Sequence, residues 1–238
     1  FSPSAEMMAG RAYGHDVEAA VVRAAYASGV KAPEIVAEII AADGLGTGYL
    51  MRRINAEVNP SKILAAPPPS LLADLARELA LIHNVPRDIL PTLPVTSAQS
   101  LLSELKARFL SFGGDRPVMA LALRWLDDTC PTPLEPVLLP GAFRIGNIMA
   151  DRGGLAVVLD WELAHLGDRH QDLAFGCINS WRFGNIDRPA FGLGPVEQFC
   201  AQFLFKQLQR FGQRRMRHAK LAGGAAKTLV AINRDEPG

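Results

Sequence analysis

The chain has 238 residues, a mass of 25.7 kDa and a formal charge of +1, from 25 Lys+Arg against 24 Asp+Glu. With 49% hydrophobic and 21% charged residues it has the make-up of an ordinary globular protein, which excludes disordered, collagen-like and coiled-coil classes. No apolar run reaches the roughly 18 residues of a membrane-spanning helix, and three scattered cysteines (Cys130, Cys177, Cys200) suit a reducing cytoplasm better than a disulfide scaffold or a zinc site.

In chain order, the opening FSPSAEMMAG has neither a basic nor an apolar leader pattern, so no signal peptide is expected. Residues 16–28 carry apolar side chains at helical spacing, with Asp16 as the expected N-cap and Gly29 as the stop. EIVAEII and GYLMRRI are β-rich runs joined by DGLGT, which reads as a hairpin. The triple proline at 67–69 is the sharpest break in the chain, and after it Ser70 is placed to cap an amphipathic helix, LLADLARELALIH. His83 at the end of that helix suits the negative pole of its dipole. Further helices are expected near 97–111 and 116–127, and PTPLEPVLL reads as a loop entering a short strand. Beyond 145 the pattern is strand, Gly-Gly turn, strand, then helices.

The charge is unevenly spread. Residues 1–197 hold 17 basic and 22 acidic side chains, whereas residues 198–238 hold 8 basic and 2 acidic. The basic end reads as a solvated helix face. Few stacking aromatics interleave its charges, so nucleic-acid binding is not expected.

The stretch NIMADRGGLAVVLD is the most informative. Gly153-Gly154 suits a two-residue hairpin loop of the kind that needs positive φ at both positions. Centred there, the register brings Asn147 and Asp160 face to face at the open end. An amide oxygen and a carboxylate converging in this way suit a hard divalent cation such as Mg²⁺. The same residues also read as a strand-start Asn and a helix-capping Asp. His165 and His170 flank Asp168 closely enough to suggest a metal, or simply a polar loop over a helix start. There is no G-x-S-x-G, and nothing else supports a nucleophilic triad.

The run LPGAFRIGNIMADRGGLAVVLDWELAHLGDRHQDLAF, followed by SWRFGNIDRP, resembles the catalytic core of the aminoglycoside phosphotransferase / choline kinase-like family, in the branch found beside or fused to acyl-CoA dehydrogenases. That family's signature is His-Gly-Asp-x-x-x-x-Asn, a hairpin, an Asp in a Leu-Asp-Trp/Phe-Glu context, and Asp-Leu-Ala. The resemblance extends more weakly through VEAAVVRAAYASGVKAPEIVAE, LGTGYLMRRI and LARELALIH. It implies an α+β, protein-kinase-like fold, with a remnant of a nucleotide-binding small lobe and hinge over 1–54 and a mainly helical lobe carrying the site over 55–238.

Carried over residue by residue, the resemblance implies that Asn147 and Asp160 bind Mg²⁺. It implies that Met51, Arg52 and Arg53, in the hinge, meet the adenine of ATP. Glu18 resembles the helix Glu that pairs with an ATP-binding Lys, although alone it reads as an exposed first-turn Glu. Asp172 resembles an Asp that holds the catalytic loop. Arg144 lies beside the site, as a phosphate or substrate contact or as half of a loop-stabilising ion pair. The implied reaction is transfer of the γ-phosphate of ATP to a small-molecule hydroxyl acceptor, in a cytoplasmic protein with no membrane partner.

Two departures bear on activity. The His-Gly-Asp motif reads Pro140-Gly141-Ala142, so the residue that accepts the proton of the attacking hydroxyl is replaced by a methyl group. Neither Asp151, beside the turn, nor Glu162, two residues past Asp160, is an obvious replacement. The residues before the Glu18 helix hold no Gly-rich loop and no lysine, with Arg11 the only base, so the small lobe is expected to be truncated. A catalytically dead, pseudokinase-like nucleotide- or ligand-binding protein is therefore the alternative, and a basic-tail interaction module a third reading.

Overall fold

A computed structural model of the chain describes residues 12–193, apart from 186 and 189; Arg11, Cys200 and the basic segment 198–238 lie outside the described residues. Helix α1 (His15–Ala27) has its cap two residues earlier than the expected Asp16. Extended Gly14 holds the cap position, and Asp16 sits in the first turn with Glu18, where carboxylates face the positive end of the dipole. The stop is as expected: Gly29 at φ 84° sends its N–H to Tyr26, and Val30 sends its own to Ala25.

Strands β1 (Ile35–Ile39) and β2 (Gly48–Met51) form the expected antiparallel hairpin, with a bulge between Ile35 and Ala37. The chain then descends through 52–57, where Glu57 and Ala150 exchange backbone hydrogen bonds of 2.9 and 3.0 Å. Asn59 caps the short helix α2 (Pro60–Ala65). Helix α3 (Leu71–His83) buries Leu71, Leu75, Leu79 and Ile82, the stripe its apolar spacing requires. Ser70 stands at the cap but does not bond the backbone. Its hydroxyl donates to Asp74, which also accepts from the Leu155 amide and so fastens the first turn to the next hairpin. Helices α4 (Ala98–Ser111) and α5 (Pro117–Thr129) form where helices were expected, and they pack together; a Ser97/Ser100 capping box opens α4 and Pro117 opens α5.

Strands β4 (Ile148–Asp151) and β5 (Gly154–Val158) form the central hairpin, but its register corrects the expected one. The connecting loop is Arg152-Gly153, closed by Asp151 Oδ1 accepting from the Gly153 amide at 2.7 Å. Gly154 belongs to the strand because it lies against α3: a Cβ there would come within 2.1 Å of Asp74 Oδ2. A bulge between Met149 and Ala150 then shifts the ladder, so Ile148 faces Val158.

Beside this hairpin, β3 (Val137–Leu139) pairs antiparallel with β6 (His165–Gly167). Strand β6 was not anticipated, being too short to show alternation. Helix α6 (His170–Gly176) follows. The core lies where α1, α3, the β4–β5 hairpin and the β3–β6 pair meet, around Trp161, Phe143, Phe191, Leu71, Leu75 and Leu138. Phe143 meets Phe191 edge-on, with ring centres 5.5 Å apart. Among the described residues no helix is long and apolar enough to cross a membrane.

Candidate functional site

Strand β4 is entered through a 3-10 turn (Ile145–Asn147), and β5 is left through Asp160. The two residues do converge, despite the shifted register, because Asn147 accepts the Leu159 amide at 2.8 Å. Asn147 is buried, and its side-chain NH₂ donates to Asp160 Oδ2 at 2.8 Å and to the Ala142 carbonyl at 3.0 Å. Its amide oxygen is left to accept. Asp160 is exposed and caps no helix; its φ of 65° lies in the left-handed region. Such a conformation in a non-glycine residue costs of order 1–3 kcal/mol and is concentrated at functional sites. A hard carboxylate oxygen beside a hard amide oxygen fits Mg²⁺, which takes one or two protein oxygens and completes its shell with phosphate and water.

The turn before Asn147 is held from below. Gly141 (φ 77°) lies so close to the segment after Asp160 that a Cβ would stand 2.3 Å from the Leu163 carbonyl oxygen. Pro140 and Ala142 are buried on either side. Under them is Asp172, fully buried, with His83 Nε2 at 3.1 Å from its Oδ2. Burial pushes the Asp172 carboxyl above its ordinary range; His83, the charge of His165 and the Gly141 amide pull the other way. His83 thus serves a buried carboxylate from another element as well as ending its own helix.

From above, Tyr13 reaches the same segment. Its hydroxyl lies 2.7 Å from the Ala164 carbonyl and 3.1 Å from that of Trp161. Glu18 is buried rather than exposed, and Tyr49 of β2 donates to it at 2.7 Å. At and just beyond the end of β2, Arg52 makes a bidentate pair with Glu34, with Nε–Oε2 at 2.6 Å and Nη2–Oε1 at 3.1 Å, while Met51 and Arg53 are exposed. Sequence reasoning missed Tyr13 and the role of His83, since neither a backbone carbonyl nor a contact across 89 residues leaves a local signal.

Arg144 forms no ion pair with the described residues; its guanidinium stacks over Trp181 at 4.2 Å. His165 and His170 do not converge on a metal. His170 bonds Asp168 at 2.7 Å, while His165 bonds the Leu163 carbonyl and Gln171. Among the described residues no group of three or more His, Cys, Asp or Glu could hold a metal. Asp151 is spent in the turn. A cavity of about 260 Å³ between Thr96, Pro131, Pro136 and Gly167 opens at the end of β3–β6 away from Gly141.

The fold is that of the kinase-like phosphotransferases. The GDP complex of aminoglycoside 2′-phosphotransferase-IIIa superposes with a TM-score of 0.53 at 16% identity, over 69% of this chain and 62% of that one. A choline/ethanolamine kinase family protein from Mesorhizobium loti gives 0.54 at 18%, over 76% and 62%, and an aminoglycoside phosphotransferase from Streptomyces rimosus 0.51 at 17%, over 79% and 73%. The profile of the phosphotransferase enzyme family matches residues 16–217, and the chain belongs to that family. Acyl-CoA dehydrogenase family member 10 of Mus musculus is 34% identical over 98 residues, which are 37% of this chain and 9% of that protein. The chain therefore spans a small part of that relative, and just under two thirds of the first of these solved structures.

Proposed function

We propose that the protein is an ATP- and Mg²⁺-dependent phosphotransferase that moves the γ-phosphate to a hydroxyl of a small molecule. The observation that carries this reading is the Asn147–Asp160 contact at the open end of the β4–β5 hairpin. When bound, Mg²⁺ supplies neutralising charge for the phosphates. In this reading Asp160 and Asn147 hold the cation by their side-chain oxygens. The hinge at 51–54 offers its backbone, with Met51, Arg52 and Arg53, to the nucleobase, and Glu18 on α1 supports the nucleotide side. Nucleotide complexes among the structural relatives support this placement. The division at residue 54 then separates a nucleotide-side unit, 1–54, from an acceptor-side unit, 55–238, in a protein of the cytoplasm.

Ala142 stands where the attacking hydroxyl would meet its base, and a methyl group takes no proton. Loss of a positioned base lowers a rate by about 10²–10⁴, leaving orientation and charge neutralisation by the remaining residues. That substitution favours a second reading, a nucleotide-binding protein without turnover. Calorimetric titration with ATP and with GTP, with and without Mg²⁺, tests what both readings share: Mg²⁺-dependent binding is expected, and its absence would sink both. Phosphotransfer by the parent chain and by the Pro140→His/Ala142→Asp double variant against a panel of hydroxyl compounds separates them. Turnover already present in the parent chain supports the enzyme; turnover only in the double variant, with nucleotide bound by both, supports the silent form.

A further inference from the structure

Next to the proposed metal pair is a cluster that the phosphotransfer chemistry leaves unused. Arg144 is half-buried, two residues beyond Ala142, and lacks an ion-pair partner among the described residues. Its guanidinium lies over Gly146, where a Cβ would stand 2.2 Å from Arg144 Nη1 and 3.5 Å from the Phe183 ring. Trp181 stacks beneath it and packs in turn on Phe175, with ring centres 5.8 Å apart. The Trp181 indole N–H is shut away from solvent with no acceptor among the described residues. A buried donor left unmade is costly and calls for an explanation.

The segment holding Trp181 is built rather than loose. Arg182 donates to the Cys177 carbonyl at 2.9 Å, and the Asn185 amide and side chain both donate to the Arg182 carbonyl. Phe183 is forced to φ 48°, followed by Gly184 at φ 88°. A cation therefore rests on an aromatic face in a patch whose backbone is tied by these hydrogen bonds. Its residues come from 144–146 and 175–183 alone, with none from the hinge or from the β1–β2 hairpin.

We propose that Arg144, presented by Trp181, recognises an anionic group, a carboxylate or a phosphate, carried by the hydroxyl acceptor. The inference rests on the phosphotransferase reading and names the class of its acceptor. A planar guanidinium clamped on an aromatic face keeps its outer N–H groups available for a two-point contact with an oxyanion. Such a contact holds an acceptor beside Ala142 without help from the metal pair. Neutral polyols and amino-sugars would gain nothing from it.

The test titrates the unmodified chain at constant ionic strength with three compounds sharing one carbon skeleton: glycerol, glycerate and sn-glycerol 3-phosphate. Tryptophan emission and calorimetry are the readouts. At least one anionic compound is expected to saturate and change the emission while glycerol does neither, and the one that does tells carboxylate from phosphate. Arg144→Gln is expected to weaken that binding by about tenfold or more, a loss of roughly 1.4 kcal/mol. Arg144→Lys should retain part of it, and Trp181→Phe should abolish the emission change. Equal responses to all three compounds, or an Arg144→Gln protein that folds and titrates like the parent, would overturn the proposal. If Arg144→Gln does not fold, Arg144→Lys and the comparison of charged with neutral compounds on the parent chain decide it. Repeating the titration with saturating ATP and Mg²⁺ separates the sources of oxyanion. An unchanged anion affinity places the site on the acceptor side; competition assigns Arg144 to the nucleotide phosphates and overturns the acceptor proposal. Failure of ATP and Mg²⁺ to bind is a separate result, which removes the phosphotransferase reading while the anion titration still stands or falls by itself.

Discussion

Gly141→Ala is a sharp test of how the loop carrying Ala142 is tied to the segment after Asp160. Two terms add. At φ 77° an alanine is strained by roughly 1–2 kcal/mol, since its Cβ crowds its own carbonyl. The new Cβ would also lie 2.3 Å from the Leu163 oxygen, 2.9 Å from its carbonyl carbon and 3.0 Å from its Cβ. Two of these atoms are backbone and cannot rotate aside, so one of the two segments must move, at a further cost of about 1–3 kcal/mol. Gly29→Ala provides the control, with φ 84° and nothing within 4 Å of the added carbon, so only the first term applies. Equilibrium urea unfolding should therefore show Gly141→Ala to be about 2–5 kcal/mol less stable than the parent and Gly29→Ala about 1–2. The reasoning is refuted if the two variants lose equal stability. Because the displaced segment begins at Asp160, Gly141→Ala should also weaken Mg²⁺-dependent nucleotide binding.

Tyr13→Phe removes only the hydroxyl that meets the Ala164 and Trp161 carbonyls, and should lower stability by about 1 kcal/mol in the same unfolding assay. Asp172 has its folded-state pKa raised by burial, so its contribution to stability is fully present below the ordinary carboxylate pKa and is lost as pH rises through the folded value. Unfolding midpoints measured from acid to neutral pH should carry this fall in the parent, and Asp172→Asn should flatten it; parallel curves would contradict the assignment. Asp160→Asn should abolish the Mg²⁺ dependence of nucleotide binding in calorimetry while leaving the fold intact, since its side chain is exposed. Trp161→Ala, at a position 1% exposed, should cost about 3–5 kcal/mol, measurable as a lowered midpoint in denaturant.

The helices were legible because their signals are local. Leu71, Leu75, Leu79 and Ile82 recur at the helical period, and Gly29 stands where a left-handed stop is needed. The Asn147–Asp160 convergence was legible too, although for a register one residue out. The actual register leaves Gly154 against Asp74, a residue of another helix, and carries a bulge between Met149 and Ala150 that no local pattern announces. Strand β6 is three residues long, and its partners at 137–139 and 94–96 lie far off in the chain. Glu18 illustrates the same limit: a first-turn glutamate is ordinarily solvated, and the β1–β2 hairpin with Tyr49 closes over this one.

The sequence by itself determined the class of the chain, the order of most of its helices and of its two hairpins, and the approach of Asn147 to Asp160 at the open end of the second hairpin. These follow from periodicity, turn chemistry and a motif, each contained within a few turns of chain. Tertiary structure alone decided that His83 serves Asp172, that Tyr13 holds the segment after Asp160, and that Arg144 stacks on Trp181 instead of entering an ion pair with the described residues. The physical reason is distance along the chain and the anonymity of the partners. Tyr13 and Ala164 are 151 residues apart, and one side of that bond is a carbonyl that any residue would provide.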